Sequence, residues 1–314
     1  MTAGVLTVDK PEGPTSHDVV DVARRSLGTR RVGHFGTLDP FASGLLVLGI
    51  GPATRLAPFC TDHPKTYRAV VRLGARSDTD DTEGNIEEVA VPSIPERSVV
   101  EEACAAWEGT LLQVPPAYSA KHVDGGRAYA LARAGRAVTL EAVPVRIDSI
   151  RIERYAWPEL EILVRCGPGT YLRALARDLG EQLGTGGLCA ALRRLVSGPF
   201  RVEDALSWSS LADPDAARTA LRPSWTAVAD LLAIVLDGER ARAFSAGREV
   251  AVPAGEVTVP SGENLSSVRA RVHGGHGFLG IGAVEPAQSA TDGGSGHARL
   301  RPRRVLFPDG EDAA

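Results

Sequence analysis

The chain has 314 residues, a formal net charge of −4 and 24% charged residues. A pI of about 6.0 excludes a protein that is basic over its whole surface, though not one with a local basic groove. Apolar residues make up 43%, enough to bury a core, no apolar run approaches the roughly 18 residues that span a bilayer, and the length suggests about two domains.

The N-terminus has neither the basic start nor the apolar stretch of a signal peptide. Cys60, Cys104, Cys166 and Cys189 are far apart, with no Cys-x-x-Cys pair and no histidine at ligand spacing. They read as reduced, buried thiols of a cytosolic protein rather than a metal site.

In chain order, residues 4–9 alternate loosely and read as a strand. Lys10-Pro11-Glu12-Gly13-Pro14-Thr15 is a turn by its Pro and Gly content. Ser16 is the expected N-cap of a helix through Leu27, which Gly28 ends. Next comes Gly33-His34-Phe35-Gly36-Thr37-Leu38-Asp39-Pro40-Phe41-Ala42-Ser43-Gly44, a Gly/Pro-rich loop around one carboxylate and one imidazole. The apolar run that follows it, 45–50, reads as a buried strand. A loop mounted on a rigid element is the usual arrangement for a site.

Residues 52–59 read as a short helix and 65–74 as a half-buried strand with Tyr67, Ala69, Val71 and Leu73 on one face. The acidic stretch 77–84 resembles a calcium loop only superficially, because it lacks the bidentate acid at the required offset. Helices are expected over 96–107 and 127–134, and strands over 146–155 and 160–166. Gly167-Pro168-Gly169-Thr170 is a sharp turn with Thr170 as the expected N-cap of a helix over 171–180. On that helix Arg173 and Arg177 lie four apart, either an anion site or an exposed basic stripe. Residues 188–195 read as another short helix, bearing Arg193 and Arg194.

Pattern weakens over 207–224, where a domain boundary is placed. Beyond it come an apolar stretch (227–236), a helix (239–246) and short β segments at 249–252, 255–259, 268–272 and 278–284, which together suggest a small β barrel. Residues 286–296 read as a mobile loop and the tail from Asp309 as disordered. The division is therefore 1–224, 225–308 and a tail, 309–314.

Five motifs, in order over residues 4 to about 200, resemble the bacterial tRNA pseudouridine-55 synthases, the TruB family. They are Asp9-Lys10-Pro11 with Gly13 and Thr15-Ser16; the Gly33–Leu46 loop; Lys65-Thr66-Tyr67; Pro115-Pro116-Ala117-Tyr118-Ser119-Ala120; and Gly169-Thr170-Tyr171-Leu172-Arg173. Phe278-Leu279-Gly280-Ile281-Gly282 and Leu300-Arg301-Pro302-Arg303-Arg304-Val305 resemble, more loosely, a PUA-type RNA-binding module. One departure stands out: the family's usual lysine after the Tyr-Ser-Ala loop is His122 here, with Lys121 one place earlier.

The resemblance implies an α+β fold: a mixed, largely antiparallel sheet flanked by helices, plus a small C-terminal PUA-like β-barrel domain. It implies isomerisation of the T-loop uridine of tRNA, with the base flipped into a pocket. Asp39 is then the catalytic carboxylate, Tyr67 stacks on the base, and Arg173 pairs with Asp39. His34, Tyr171 and Leu192 would contact substrate, with Leu195 as the alternative to Leu192, and Arg301, Arg303 and Arg304 would meet phosphates. Asp39 could attack the sugar, attack the base or remove a sugar proton, and the sequence leaves all three open. The reaction needs no redox change and no energy input, so no cofactor is expected. The chain is expected to be a cytoplasmic monomer whose partner is tRNA, through its T-arm, with no membrane and no obligate protein partner. Two alternatives remain: an RNA-binding or tRNA-folding protein, and a synthase for another RNA.

Overall fold

A computed structural model describes residues 2–118, 122–123, 126–127, 140–253, 268–285, 297–307 and 309–310. The expected helix over 127–134 falls mostly, and the strand over 255–259, the loop over 286–296 and the end of the tail fall wholly, outside these residues.

The strands are β1 (Gly4–Lys10), β2 (Val32–His34), β3 (Ser43–Ile50), β4 (Lys65–Leu73), β5 (Ala75–Ser77), β6 (Ile86–Glu88), β7 (Gly109–Gln113), β8 (His122–Val123), β9 (Gly126–Arg127), β10 (Val143–Ala156), β11 (Glu159–Cys166), β12 (Gly187–Ser197), β13 (Phe200–Arg201) and β14 (Leu206–Ser207). A ten-stranded sheet runs β14-β1-β3-β12-β4-β11-β10-β7, with β2 on β3 and β13 on β12. Its β1–β14 and β3–β12 pairs are parallel and the others antiparallel, as the fold class anticipated.

Helices α1 (Ser16–Leu27), α2 (Ala57–Cys60), α3 (Arg97–Ala105) and α4 (Leu172–Gln182) lie between these strands. The apolar stripe of α1 (Val19, Val20, Ala23, Leu27) and that of α4 (Leu172, Leu175, Leu179) join one core with Leu6, Leu46, Leu48, Val71 and Val164. The alternate residues of β1 and β3 (Val5, Leu45, Val47) enter a second core on the opposite face. Being buried on both faces explains why β3 reads as a continuous apolar run rather than an alternating one.

The stretch 188–195 is not a helix; it forms β12, wedged between β3 and β4. Two bulges, between Cys189 and Ala191 and between Arg194 and Val196, interrupt its pairing with β4. A bulge adds a residue and breaks the period-two alternation. Leu188, Leu192 and Leu195 thus acquire helix-like spacing, and strand pairing overrides it. The N-caps also differ from expectation. Thr15, not Ser16, caps α1: its Oγ accepts from the Asp18 amide at 3.1 Å while the Asp18 carboxylate accepts from the Thr15 amide at 2.8 Å. Tyr171, not Thr170, occupies the N-cap of α4 and makes no side-chain cap bond.

C-terminal to the sheet come α5 (Pro214–Thr219), β15 (Leu232–Val235), α6 (Gly238–Ser245), β16 (Val250–Pro253), β17 (Val268–Gly274), β18 (Gly277–Glu285) and β19 (His297–Val305). These last five strands form a sheet in the order β15-β17-β18-β19-β16. It has its own core around Phe244, Val252, Ala270, Val272 and Leu300. Phe278, Ile281 and Leu306 instead join Val5, Phe35, Leu45 and Val47 in the second core, so this PUA-like module backs directly onto the strand that bears the Asp39 loop. No helix among the described residues is long and apolar enough to cross a membrane.

Candidate active site

The 35–42 stretch leaves β2, turns at Gly36 (φ +145°) and re-enters the sheet at β3 through Gly44 (φ +99°). Gly44 is obligatory: a Cβ there would lie 2.3 Å from the Arg194 carbonyl oxygen of the neighbouring strand. Ser16, freed from capping, holds the loop from the helix side. Its hydroxyl donates to the Leu38 carbonyl at 2.9 Å and accepts from the Leu38 amide at 2.8 Å. Lys10, fully buried, donates to the Pro11 and Pro14 carbonyls at 2.8 Å and to Pro40 at 3.3 Å. Asp39 is thus held on both sides by neighbours bonded to its own loop.

Arg173, on the first turn of α4, reaches Asp39 with Nε at 3.0 Å from Oδ2. It is 5% exposed, and both of its other nitrogens are bonded. Nη1 donates to the Thr79 carbonyl at 3.0 Å and to Asp81 at 3.1 Å, and Nη2 to the Tyr118 carbonyl at 3.0 Å. Asp81 is fixed in turn by the Thr79 hydroxyl at 2.5 Å and the Glu83 amide at 2.9 Å. One turn on, Arg177 donates to Asp80 at 2.8 Å and to the Val114 carbonyl at 2.9 Å. Neither arginine is an open anion site or a solvated stripe. The acidic 77–84 loop supplies their counter-charges: Asp80, at φ +61°, turns its neighbours so that consecutive acids meet successive turns of α4.

Asp39 opens onto two cavities. The wider, about 810 Å³, is lined by His34, Asp39, Asp81, Tyr118 and Arg173, among others. The narrower, about 280 Å³, brings together Asp39, Tyr67, Tyr171, Arg173, Leu192 and Arg194. Sequence-expected residues Asp39, Tyr67, Arg173, Tyr171 and Leu192 therefore converge. His34 lies in the outer cleft with its ring Nδ1 buried and unpartnered. Leu195 packs against the second core. Tyr171 is steadied by fully buried Gln113, which accepts from its amide at 2.9 Å and donates to its carbonyl at 3.1 Å. Arg301, Arg303 and Arg304 stand on β19, outside both cavities. Lys121 lies outside the described residues, and His122 pairs with Arg127 in a short hairpin.

The Asp39 carboxylate is 38% exposed. Surrounding protein raises its pKa above the usual carboxylate value, Arg173 opposes that rise, and Asp81 adds to it. Burial likewise raises the Tyr67 phenol, against the pull of Arg194. Burial also lowers Lys10 and Lys65 to about 8 each, and it lowers His34, which is therefore favoured in its neutral form.

Sequence reasoning missed Asp81, Ser16 and Arg194. Asp81 sat in an acidic run that reads as solvated, Ser16 looked like a cap, and Arg194 stood beside Arg193 on a segment read as a helix. The alternation around Tyr67 on β4 was the available clue that a partner strand needed residues to face it.

The chain matches the family model described as TruB family pseudouridylate synthase (N terminal domain) over residues 24–172 and that of the tRNA pseudouridylate synthase B C-terminal domain over 173–236. It is 44% identical over 264 residues to a tRNA pseudouridine synthase B of Arthrobacter sp. (strain FB24), covering 82% of this chain and 85% of that one. Identity to the protein of the same name from Thermobifida fusca (strain YX) is 42% over 272 residues, covering 84% and 89%. Among solved structures, the archaeal box H/ACA sRNP Nop10-Cbf5 complex contains a chain that superposes with a TM-score of 0.72 at 25% identity, covering 97% of this chain and 86% of that one.

Proposed function

The chain belongs to the TruB family of tRNA pseudouridine synthases, and from that premise we propose that it isomerises the T-loop uridine of tRNA, position 55, with Asp39 as the catalytic carboxylate. The observation that carries this reading is the position of Asp39, 3.0 Å from the Arg173 guanidinium, at the junction of a wide cleft and a narrow cavity. The cleft has room for an RNA loop and the cavity for one base. A stacked base does not reach the carboxylate, so the uridine leaves its stack, at a cost of a few kcal/mol that is smallest in a loop.

In the reaction the N1–C1′ bond breaks and the C5–C1′ bond forms. N1 gains a proton and C5 loses one, so no electrons are exchanged with any other molecule. Asp39 assists the bond cleavage, by attack on sugar or base or by removing a sugar proton. The Tyr67 ring, on the cavity wall, stacks on the detached base while it rotates, and its hydroxyl is placed for the final proton transfer from C5. Arg173 favours the ionised form of Asp39 against burial and fixes its direction. Tyr171 and Leu192 enclose the base, and His34 meets the opened loop in the outer cleft.

Residues 1–224 form the catalytic unit and 225–308 bind tRNA away from the T-loop through Arg301, Arg303 and Arg304. The active unit is read as a monomer that works in the cytoplasm on tRNA. Tritium release from tRNA labelled at uridine C5 tests the reading. Release of one equivalent per tRNA, lost when the T-loop uridine is replaced by cytidine, supports it. Absence of release from the wild-type chain contradicts it.

A further inference from the structure

Arg194 lies on β12 opposite Gly44 of β3 on one side and Tyr67 of β4 on the other. It is 2% exposed, and no carboxylate among the described residues lies within ion-pair distance of it. Its guanidinium donates instead to three backbone carbonyls: Nε to Leu45 at 2.7 Å, Nη1 to Thr37 at 3.2 Å and Nη2 to Gly36 at 3.1 Å. Those carbonyls flank Asp39 on both sides in the chain. Tyr67, its register partner on β4, lines the same narrow cavity as Arg194 and Asp39. A buried cation without a counter-ion is costly unless its donors are satisfied, so these bonds define a specific arrangement.

Buried lysines nearby show why the residue is an arginine. Lys10 and Lys65 also donate to clustered carbonyls, and each is lowered to about 8. A lysine at 194 would be a point donor that gives up its charge readily, whereas a guanidinium stays charged and forks to separated acceptors. Asp39 is therefore fixed by two arginines in different ways: Arg173 grips its carboxylate and Arg194 grips its backbone.

We propose that Arg194 is a positioning residue for the isomerisation, locking the 36–45 loop around Asp39 and setting the Tyr67 hydroxyl relative to that loop. The proposal rests on the roles given above to Asp39 and Tyr67. It couples Asp39, on its loop, to Tyr67, on β4, through one side chain, so their effects on rate are not independent.

The test compares Arg194→Lys, Arg194→Met, Tyr67→Phe and the Arg194→Met/Tyr67→Phe double variant, each as the full chain with T-loop-labelled tRNA. Single-turnover release should fall about 100-fold in Arg194→Met, the scale of a small misplacement of reacting groups, and about tenfold in Arg194→Lys. Affinity for tRNA should stay within about threefold of wild type. Loss in the double variant should be at least about tenfold smaller than the product of the single losses. Additive losses, parallel loss of affinity and rate, or an Arg194→Lys rate within about threefold of wild type would each overturn the proposal. Should Arg194→Met not fold, Arg194→Lys alone and combined with Tyr67→Phe serve the same comparison. Failure of the wild type to release tritium would instead defeat the functional reading, so the two failures are distinguishable.

Discussion

Around Asp39, Arg173 and Arg194 are buried and their donors meet carbonyls and carboxylates of the protein itself. On β19 the arginines stand outward. Arg301, 50% exposed, shares Glu249 and Glu285 at 3.3 Å, and Arg299 reaches Glu249 at 3.6 Å. Arg303 and Arg304 have no carboxylate within ion-pair distance among the described residues. The residue type is the same, and burial separates the roles. A buried guanidinium fixes geometry because each lost bond leaves an unsatisfied group. An exposed one is held by pairs worth about 0–1 kcal/mol and is free to exchange a glutamate for a phosphate. The cleft arginines should govern rate, and the β19 arginines affinity.

The largest break in that contrast is Arg173→Ala. It leaves Asp39 and Asp81 without the cation that separates them, and removing one partner of a buried pair costs about 3–5 kcal/mol. Turnover should fall by roughly 100-fold or more while tRNA affinity changes little, as read by tritium release, filter binding and urea unfolding. Equal loss of binding and turnover would make Arg173 a phosphate contact instead.

A smaller effect sharpens the burial side. Lys10 falls from 10.5 to about 8 because it is desolvated. Between those values the unfolded chain holds a proton that the folded chain has released, so stability from this group rises with pH. The free protein should gain about 2 kcal/mol from Lys10 between about pH 7 and 9.5. Urea unfolding of Lys10→Met should lack that increment, and an unchanged pH profile would mean that Lys10 stays charged in the fold.

The smallest effect concerns β19. Arg303→Ala should weaken tRNA binding nearly uniformly across tRNA sequences and reduce the salt slope by about one, leaving single-turnover rate on saturating tRNA unchanged. Arg301→Ala should do less, because Glu249 and Glu285 already occupy it. A rate defect in Arg303→Ala would break the division between the two regions.

Much of this arrangement was legible in the chain. The Gly/Pro loop before an apolar run placed Asp39 correctly on the loop that enters β3. The alternation of Tyr67, Ala69, Val71 and Leu73 gave β4, and the apolar spacing after Gly169 gave α4, while the pairing of Arg173 with Asp39 came from the family resemblance alone. What local pattern did not reveal was pairing between distant segments. β12 was misread because its bulges imitate a helical period, and with it went Arg194, whose acceptors are about 150 residues away in sequence. Asp81 was hidden for the same reason: its partner Arg173 lies 92 residues on. The shared core of Phe35, Leu45 and Val47 with Phe278 and Ile281 likewise depends on a contact that no window of sequence contains.

On the proposed function, Asp39 acts chemically while its neighbours position it. Single-turnover tritium release by Asp39→Asn, with tRNA affinity measured on the same preparation, tests this most directly. Asparagine keeps the size of the side chain and a hydrogen-bonding oxygen towards Arg173 but removes the charge. Affinity should stay within about threefold of wild type and the rate should fall by about 10²–10⁴-fold, the range a positioned proton-transfer group supplies. Release at a rate near wild type would contradict it and move the chemistry to another group in the cavity.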